Sequence, residues 1–253
     1  MLYFEDYVIV NKGIKPDNNQ DNIYVNGIFL SEKNNGLNNY TKKINYRSKN
    51  LIYAVFDGVG GMDRGEYASY ICSKVLCSNI NNNINDTLNI INNKIIKINK
   101  DENIKMGSTA SIIKIKRNKL CISQVGDSPI YILSKGIFTK VSDKKEESNI
   151  LNNYLGNNNI NITNRVFDIK NGDKILICSD GLTNEVGELE IEYILDQSDD
   201  SKYISDKLLN YALINGGNDN ISIITIVVKR NYHKIIYILS LIVIVIILFI
   251  IFS

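Results

Sequence analysis

Three hydrophobic runs in this chain each carry an aspartate at one end: LIYAVF is followed by Asp57, DKILICS by Asp180, and Asp219 leads into NISIITIVV. Short apolar runs bounded by turn-forming residues read as buried strands, so each aspartate stands where a strand meets a loop. With the third strand antiparallel to the first two, its start lies at the same sheet edge as their ends. Three carboxylates far apart in sequence are then expected at one edge. Asp127, which closes KLCISQVG, and Asp21, ahead of NIYV, obey the same rule. Like charges gathered this way raise one another's pKa unless a cation sits among them. Oxygen donors with no histidine or cysteine beside them suit hard divalent ions, Mg²⁺ or Mn²⁺.

The remaining runs suggest an α+β layered sandwich, because strands and helices are segregated rather than strictly alternating. DYVIVN and NIYVNGIFL read as a pair of strands joined by the turn-rich GIKPDNNQD. Residues 31 to 50, dominated by Asn, Lys and Ser, read as an exposed loop. Tyr67, Ile71, Val75 and Leu76 repeat at helical spacing, and TLNIINNKIIKIN predicts a second helix. From Ser108 to Val141 the runs STASIIKIK, KLCISQV, PIYILS and IFTKV predict an antiparallel meander. Two helices, near 188 to 196 and 200 to 214, precede the last strand.

A nearly even balance of 29 Lys plus Arg against 27 Asp plus Glu gives no reason to propose nucleic acid as a partner. The four cysteines form no CxxC pair and read as reduced, buried thiols of a cytosolic domain. From Ile235 to Phe252 the chain carries no charge. As a helix this run spans roughly 27 Å, close to the ~30 Å of a bilayer core. Lys229, Arg230 and Lys234 flank its N-terminal side, which places the preceding domain in the cytoplasm. The expected organisation is one domain over residues 1–228, a basic juxtamembrane linker over 229–234 and a transmembrane helix over 235–252.

FDGVGGMDRGEYAS, MGSTASI, SQVGDSPIYIL, LICSDGLTNEV and GGNDNISIITIVV occur in one order along the chain. Together they resemble the metal-dependent serine/threonine protein phosphatases of type 2C, and the DGVGG turn resembles their bacterial branch. Any one motif is weak: Asp-Gly alone is most often a plain turn. The resemblance implies a four-layer α-β-β-α sandwich of two antiparallel sheets flanked by helices. It also implies two Mn²⁺ or Mg²⁺ ions, with Asp57 bridging them, the Gly58 carbonyl on one, and Asp180 and Asp219 on the other. Asp57, Asp180 and Asp219 are thus the implied catalytic residues. Water activated between the ions would attack the phosphorus of phosphoserine or phosphothreonine in a protein, with no covalent enzyme intermediate. A cysteine nucleophile is excluded, since the positions six after each cysteine are Ser78, Asn83, Asp127 and Asn184, none an arginine.

The chain departs from the family pattern in three places. Pro16 stands where the family carries a phosphate-gripping arginine. Lys15 remains to hold phosphate as a point charge, and it reads equally as a solvated loop lysine. Asn19-Gln20-Asp21 replaces the commoner Asn-Glu-Asp, with Asp21 either orienting metal-bound water or capping a turn. The flap after the meander is short, and a third ion on Asp127 and Asp180 is the weaker part of the resemblance. Three readings therefore stay open: a membrane-tethered phosphatase opposing a serine/threonine kinase at the cytoplasmic face, an inactive relative that binds phosphoproteins as a scaffold, or a metal-dependent hydrolase of a small phosphorylated metabolite.

Overall fold

The computed structural model describes residues 2–31, 39–46, 50–142 and 152–230. In chain order the elements are β1 (Leu2–Asn11), β2 (Asn22–Val25), β3 (Ile28–Phe29), β4 (Asn39–Tyr46), β5 (Asn50–Phe56), α1 (Gly65–Ser78), α2 (Ile84–Glu102), β6 (Ala110–Lys116) and β7 (Lys119–Val125). There follow β8 (Ile130–Ser134), β9 (Ile137–Lys140), β10 (Thr163–Asp168), β11 (Lys174–Cys178), α3 (Asp180–Thr183), α4 (Glu188–Asp196), α5 (Ser201–Ile214) and β12 (Ile221–Arg230). The strands form two antiparallel sheets, ordered β4-β1-β12-β11-β8-β9 and β10-β7-β6-β5-β2-β3.

Alternation along the strands divides the apolar side chains between two faces. On the inner faces Val8, Ile177 and Ile224 of the first sheet meet Tyr53, Val55 and Ile113 of the second. On the outer face of the first sheet, Leu176 and Ile223 pack against Ile191 of α4 and Leu208 of α5. On that of the second, Ala54 and Ile112 pack against Ile71 of α1 and Leu88 of α2. The helices hold because their apolar residues fall on one stripe: in α2, Ile84, Leu88, Ile91 and Ile95 are buried while the Asn and Lys residues mostly face water. Asn83 caps that helix by accepting from the backbone N–H of Asn85, and Asn103 ends it at φ 53°. Two sheets flanked by helices is the architecture the motifs implied.

Four local expectations are corrected. The runs around residues 3–30 do not pair with each other: β1 lies between β12 and β4, while β2 pairs with β5 and β3 in the other sheet. The predicted meander is two hairpins, β6–β7 in one sheet and β8–β9 in the other, because the chain crosses the sandwich at Gly126 (φ 96°) and Pro129. Residues 39–46, expected as loop, form edge strand β4, in which Tyr40 and Ile44 pack on the inner core although the run is rich in Asn and Lys. An edge strand pairs on one side only and tolerates such polar composition. Finally, β12 continues through Lys229 and Arg230, two residues assigned above to the linker, and Lys229 Nζ reaches Glu5 Oε2 at 2.9 Å.

All four cysteines are free thiols, Cys72 and Cys178 buried, Cys77 and Cys121 half-buried. No helix among the described residues is long and apolar enough to cross a membrane, and the expected span 235–252 lies outside them. Most of the shortened flap, residues 143–151, lies outside them as well.

Candidate metal centre

The aspartates meet at one end of the sandwich, and not along one sheet as expected. Asp57 follows β5 and Asp127 follows β7 in the second sheet, with Asp21 just ahead of β2. Asp180 follows β11 and Asp219 precedes β12 in the first. The two sheets are stacked, so the carboxylates approach across the layer between them.

Backbone bonds hold each in place. Asp57 donates its N–H to Thr109 Oγ1 (3.1 Å) and its carbonyl accepts from Thr109 N (2.8 Å). Thr109 Oγ1 lies 2.7 Å from Ser128 Oγ, which ties the segment carrying Asp127 to the same point. Gly58 N donates to the carbonyl of Gln20 (3.1 Å), bringing the loop of Asp21 alongside. A Cβ on Gly58 would stand 2.5 Å from the Gly65 carbonyl oxygen and 2.7 Å from that of Gln20, so only glycine allows α1 and this loop to close on Asp57.

On the first sheet, Ser179 N donates to the Ser222 carbonyl (3.0 Å) and Ser222 N returns a bond to Ser179 Oγ (2.9 Å). A Cβ on Gly181 would lie 2.1 Å from the Asn220 carbonyl oxygen and 3.2 Å from Asp219 Cβ. That bare Cα lets Asp180 and Asp219 stand side by side. Asn220 is a site residue that sequence reasoning missed, although it lies inside the GGNDN motif. Its Nδ2 donates to the carbonyls of Lys12 (2.8 Å) and Asn18 (2.9 Å), and its Oδ1 accepts from Gln20 N (2.7 Å). One buried amide thereby clamps the loop leading to Asp21 onto the start of β12. Gly13, at φ 82°, completes the closure, since a Cβ there would meet the Asp219 carbonyl oxygen at 2.2 Å.

The cluster is electrostatically strained. The Asp57 carboxyl is pushed well above the usual carboxylate range, first by loss of hydration and then by the charges of Asp21, Asp180, Asp219 and Asp127. Asp21 is raised to about 7, mainly by burial, with Asp219 and Asp180 adding to it. The hydroxyls of Ser222 and Ser179 favour its charged form, yet neither makes a hydrogen bond of normal geometry to it. Both Asp21 carboxyl oxygens are buried and have no hydrogen-bond partner among the described residues. Asp57, Asp127 and Asp180 are half-buried and Asp219 is exposed, so the centre opens to solvent.

Oxygen donors, an orphaned buried carboxylate and mutual repulsion fit hard cations. Among the described residues no three acidic, histidine or cysteine side chains are drawn up around one point as ligands of a single ion.

Lys15 is exposed, and its backbone N–H donates to the Gly217 carbonyl (3.2 Å), two residues from Asp219. Arg64, the other cation near the glycine-rich turn, pairs with Glu102 at 2.8 Å and stacks over Tyr67, which turns it to α1 and α2.

Comparison with known proteins shows the family and the fold. The family model described as protein phosphatase 2C matches residues 39–199. The serine/threonine phosphatase Stp of Listeria innocua is 27% identical over 220 residues, covering 73% of this chain and 86% of that protein. Among solved structures, the catalytic domain of the serine/threonine protein phosphatase PstP in complex with two manganese ions superposes with a TM-score of 0.72 at 22% identity, covering 91% of this chain and 100% of that one. The serine/threonine phosphatase of S. agalactiae gives 0.72 at 22% identity, covering 88% and 99%.

Proposed function

The chain belongs to the protein phosphatase 2C family, and from that premise we propose that it hydrolyses phosphoserine and phosphothreonine in proteins with two Mn²⁺ or Mg²⁺ ions. The observation that carries the reading is the convergence of Asp21, Asp57, Asp127, Asp180 and Asp219, from both sheets, on a centre where the charged form of Asp57 is destabilised first by burial and then by the other four. The PstP relative, of the same fold, carries two manganese ions. Such ions supply an activated water and neutralise charge on the transferred phosphoryl group.

In this reading Asp57 and the Gly58 carbonyl would hold one ion, Asp57 with Asp180 and Asp219 would hold the other, and Asp127 with Asp180 would offer a third position. Asp21, whose carboxyl oxygens have no donor among the described residues, would orient water held by the ions. Lys15, next to the Asp219 loop, binds the substrate phosphate as a point charge where Pro16 has displaced the family arginine. Residues 235–252 anchor the domain at the cytoplasmic face of a membrane, concentrating it near membrane-bound phosphoproteins and the kinase it opposes.

The test is phosphate release from a phosphothreonine peptide by the full chain in detergent, with and without Mn²⁺. Turnover that depends on the metal supports the reading. Turnover in excess chelator refutes it. The missing arginine favours one rival, a phosphoprotein-binding scaffold, which would show metal-dependent peptide binding without product.

A further inference from the structure

The strand register divides the molecule into two ends of opposite character. At one lie the aspartates. At the other lie Arg230, which pairs with Leu2, and the tight turns β6–β7, β8–β9 and β10–β11, since Lys116 faces Asn50 and Lys119, Ser134 faces Ile137, and Gly172 N donates to the Val228 carbonyl. These turns are basic. Lys116, Arg117, Lys135, Lys170 and Arg230 are all exposed, and none forms an ion pair with a described residue. Ile137, 68% exposed, stands beside Lys135.

The acids at this end are mostly engaged. Asp168 pairs with Lys119, Asp173 is buried and accepts from Ser134, and Glu5 pairs with Lys229 and Lys43. In the α4–α5 turn Asp199 pairs with Lys174 and Asp200 with Lys43, while Asp196, exposed, lines a pocket with Leu133 and Gly136 beside the β8–β9 turn.

The chain leaves the last strand at Arg230, and only residues 231–234 separate it from the uncharged run. Four residues reach at most about 14 Å. Resting on the membrane-anchor reading proposed above, we infer that this basic end is a docking face for anionic phospholipid headgroups. The domain then stands on its turns with the metal centre pointing into the cytoplasm, roughly 33 Å away along the ten residues of β12. Each exposed basic side chain near an anionic leaflet favours the docked orientation about fivefold. Ile137 meets the headgroup layer.

The test reconstitutes the full chain, with Cys77 and Cys121 replaced by serine and a dye on Ile214→Cys at the metal-centre end, into vesicles of phosphatidylcholine with and without phosphatidylglycerol. Energy transfer to headgroup acceptors reports the distance from the bilayer. Lower transfer on the anionic vesicles is expected, reversed by high salt. The variant Lys116→Glu, Arg117→Glu, Lys135→Glu, Lys170→Glu is expected to transfer equally on both lipids, because four lost contacts weaken docking roughly several hundredfold. Its hydrolysis of a small soluble phosphoester is expected to stay unchanged, which shows that it folds. Transfer that ignores lipid charge, in a chain that floats with neutral vesicles, overturns the docking face and leaves the anchor standing. A chain that fails to float with neutral vesicles overturns the anchor, and the docking face with it.

Discussion

Replacing Gly181 by alanine adds one methyl group at the seam where the strand ends bearing Asp180 and Asp219 touch. The new carbon would lie 2.1 Å from the Asn220 carbonyl oxygen, 3.0 Å from its carbonyl carbon and 3.2 Å from Asp219 Cβ. Comfortable carbon contacts begin near 3.5 Å, so backbone has to give by about 1 Å or more. It cannot yield locally, because Asn220 is tied to Lys12, Asn18 and Gln20 through its side chain and Asp180 opens α3. Overpacking of this kind costs about 1–3 kcal/mol. For a domain of this size that lowers Tm by roughly 2–12 °C. The displacement also separates two aspartates assigned to one ion, and a shift of about 1 Å at a reacting centre lowers turnover on the order of a hundredfold. Gly187→Ala is the control, since the nearest atom to its Cβ is 4.0 Å away. Thermal unfolding and metal-dependent phosphate release are measured on both variants. Wild-type turnover and Tm in Gly181→Ala would refute the reasoning.

Further outcomes follow from the same geometry. Asp57→Asn is expected to lower turnover by at least ~1000-fold and to remove the rise in Tm on adding Mn²⁺, while the metal-free protein is no less stable, because four neighbouring carboxylates lose a repulsive partner. A variant that still gains Tm with Mn²⁺ contradicts the bridging role. Lys15→Ala is expected to raise KM about tenfold with little change in kcat, as loss of one charged contact implies; an unchanged KM makes Lys15 a bystander. Asp6, buried between the sheets with Tyr53 Oη donating to its Oδ2 at 2.7 Å, is raised to about 8 by loss of hydration. Between pH ~4 and ~8 the folded state therefore holds a proton that the unfolded chain has released, so stability is full at the low end and falls as pH rises. Asp6→Asn is expected to flatten that slope and to be the more stable protein above pH ~8, by at most about 5 kcal/mol in denaturant titrations. Parallel curves for the two proteins would refute it.

Much of the centre was legible because each aspartate sits beside a strong strand signal, and a strand end is a position that local pattern can mark. The helices α4 and α5 appeared where expected for the same reason, with Asp200 capping α5 through Lys202 N and Tyr203 N. What failed was pairing. Nothing local distinguishes a strand that stays in its sheet from one that crosses, so β1 and β2 looked like partners and β6 to β9 like one meander. Composition misled at β4, where Asn and Lys hid an edge strand. Asn220 escaped notice because its role is a clamp between segments about 200 residues apart.

Local pattern sets the inventory: five aspartates at strand boundaries, glycines beside them, and an uncharged run after the last strand. These are properties of short segments, where hydrophobic period and turn chemistry act without reference to the rest of the chain. Tertiary structure alone decided that Asp57 and Asp180 belong to different sheets, that the centre forms between layers, and that basic turns collect at the opposite end. Stacking two sheets buries both inner faces at once, and that long-range packing sets which chain ends meet.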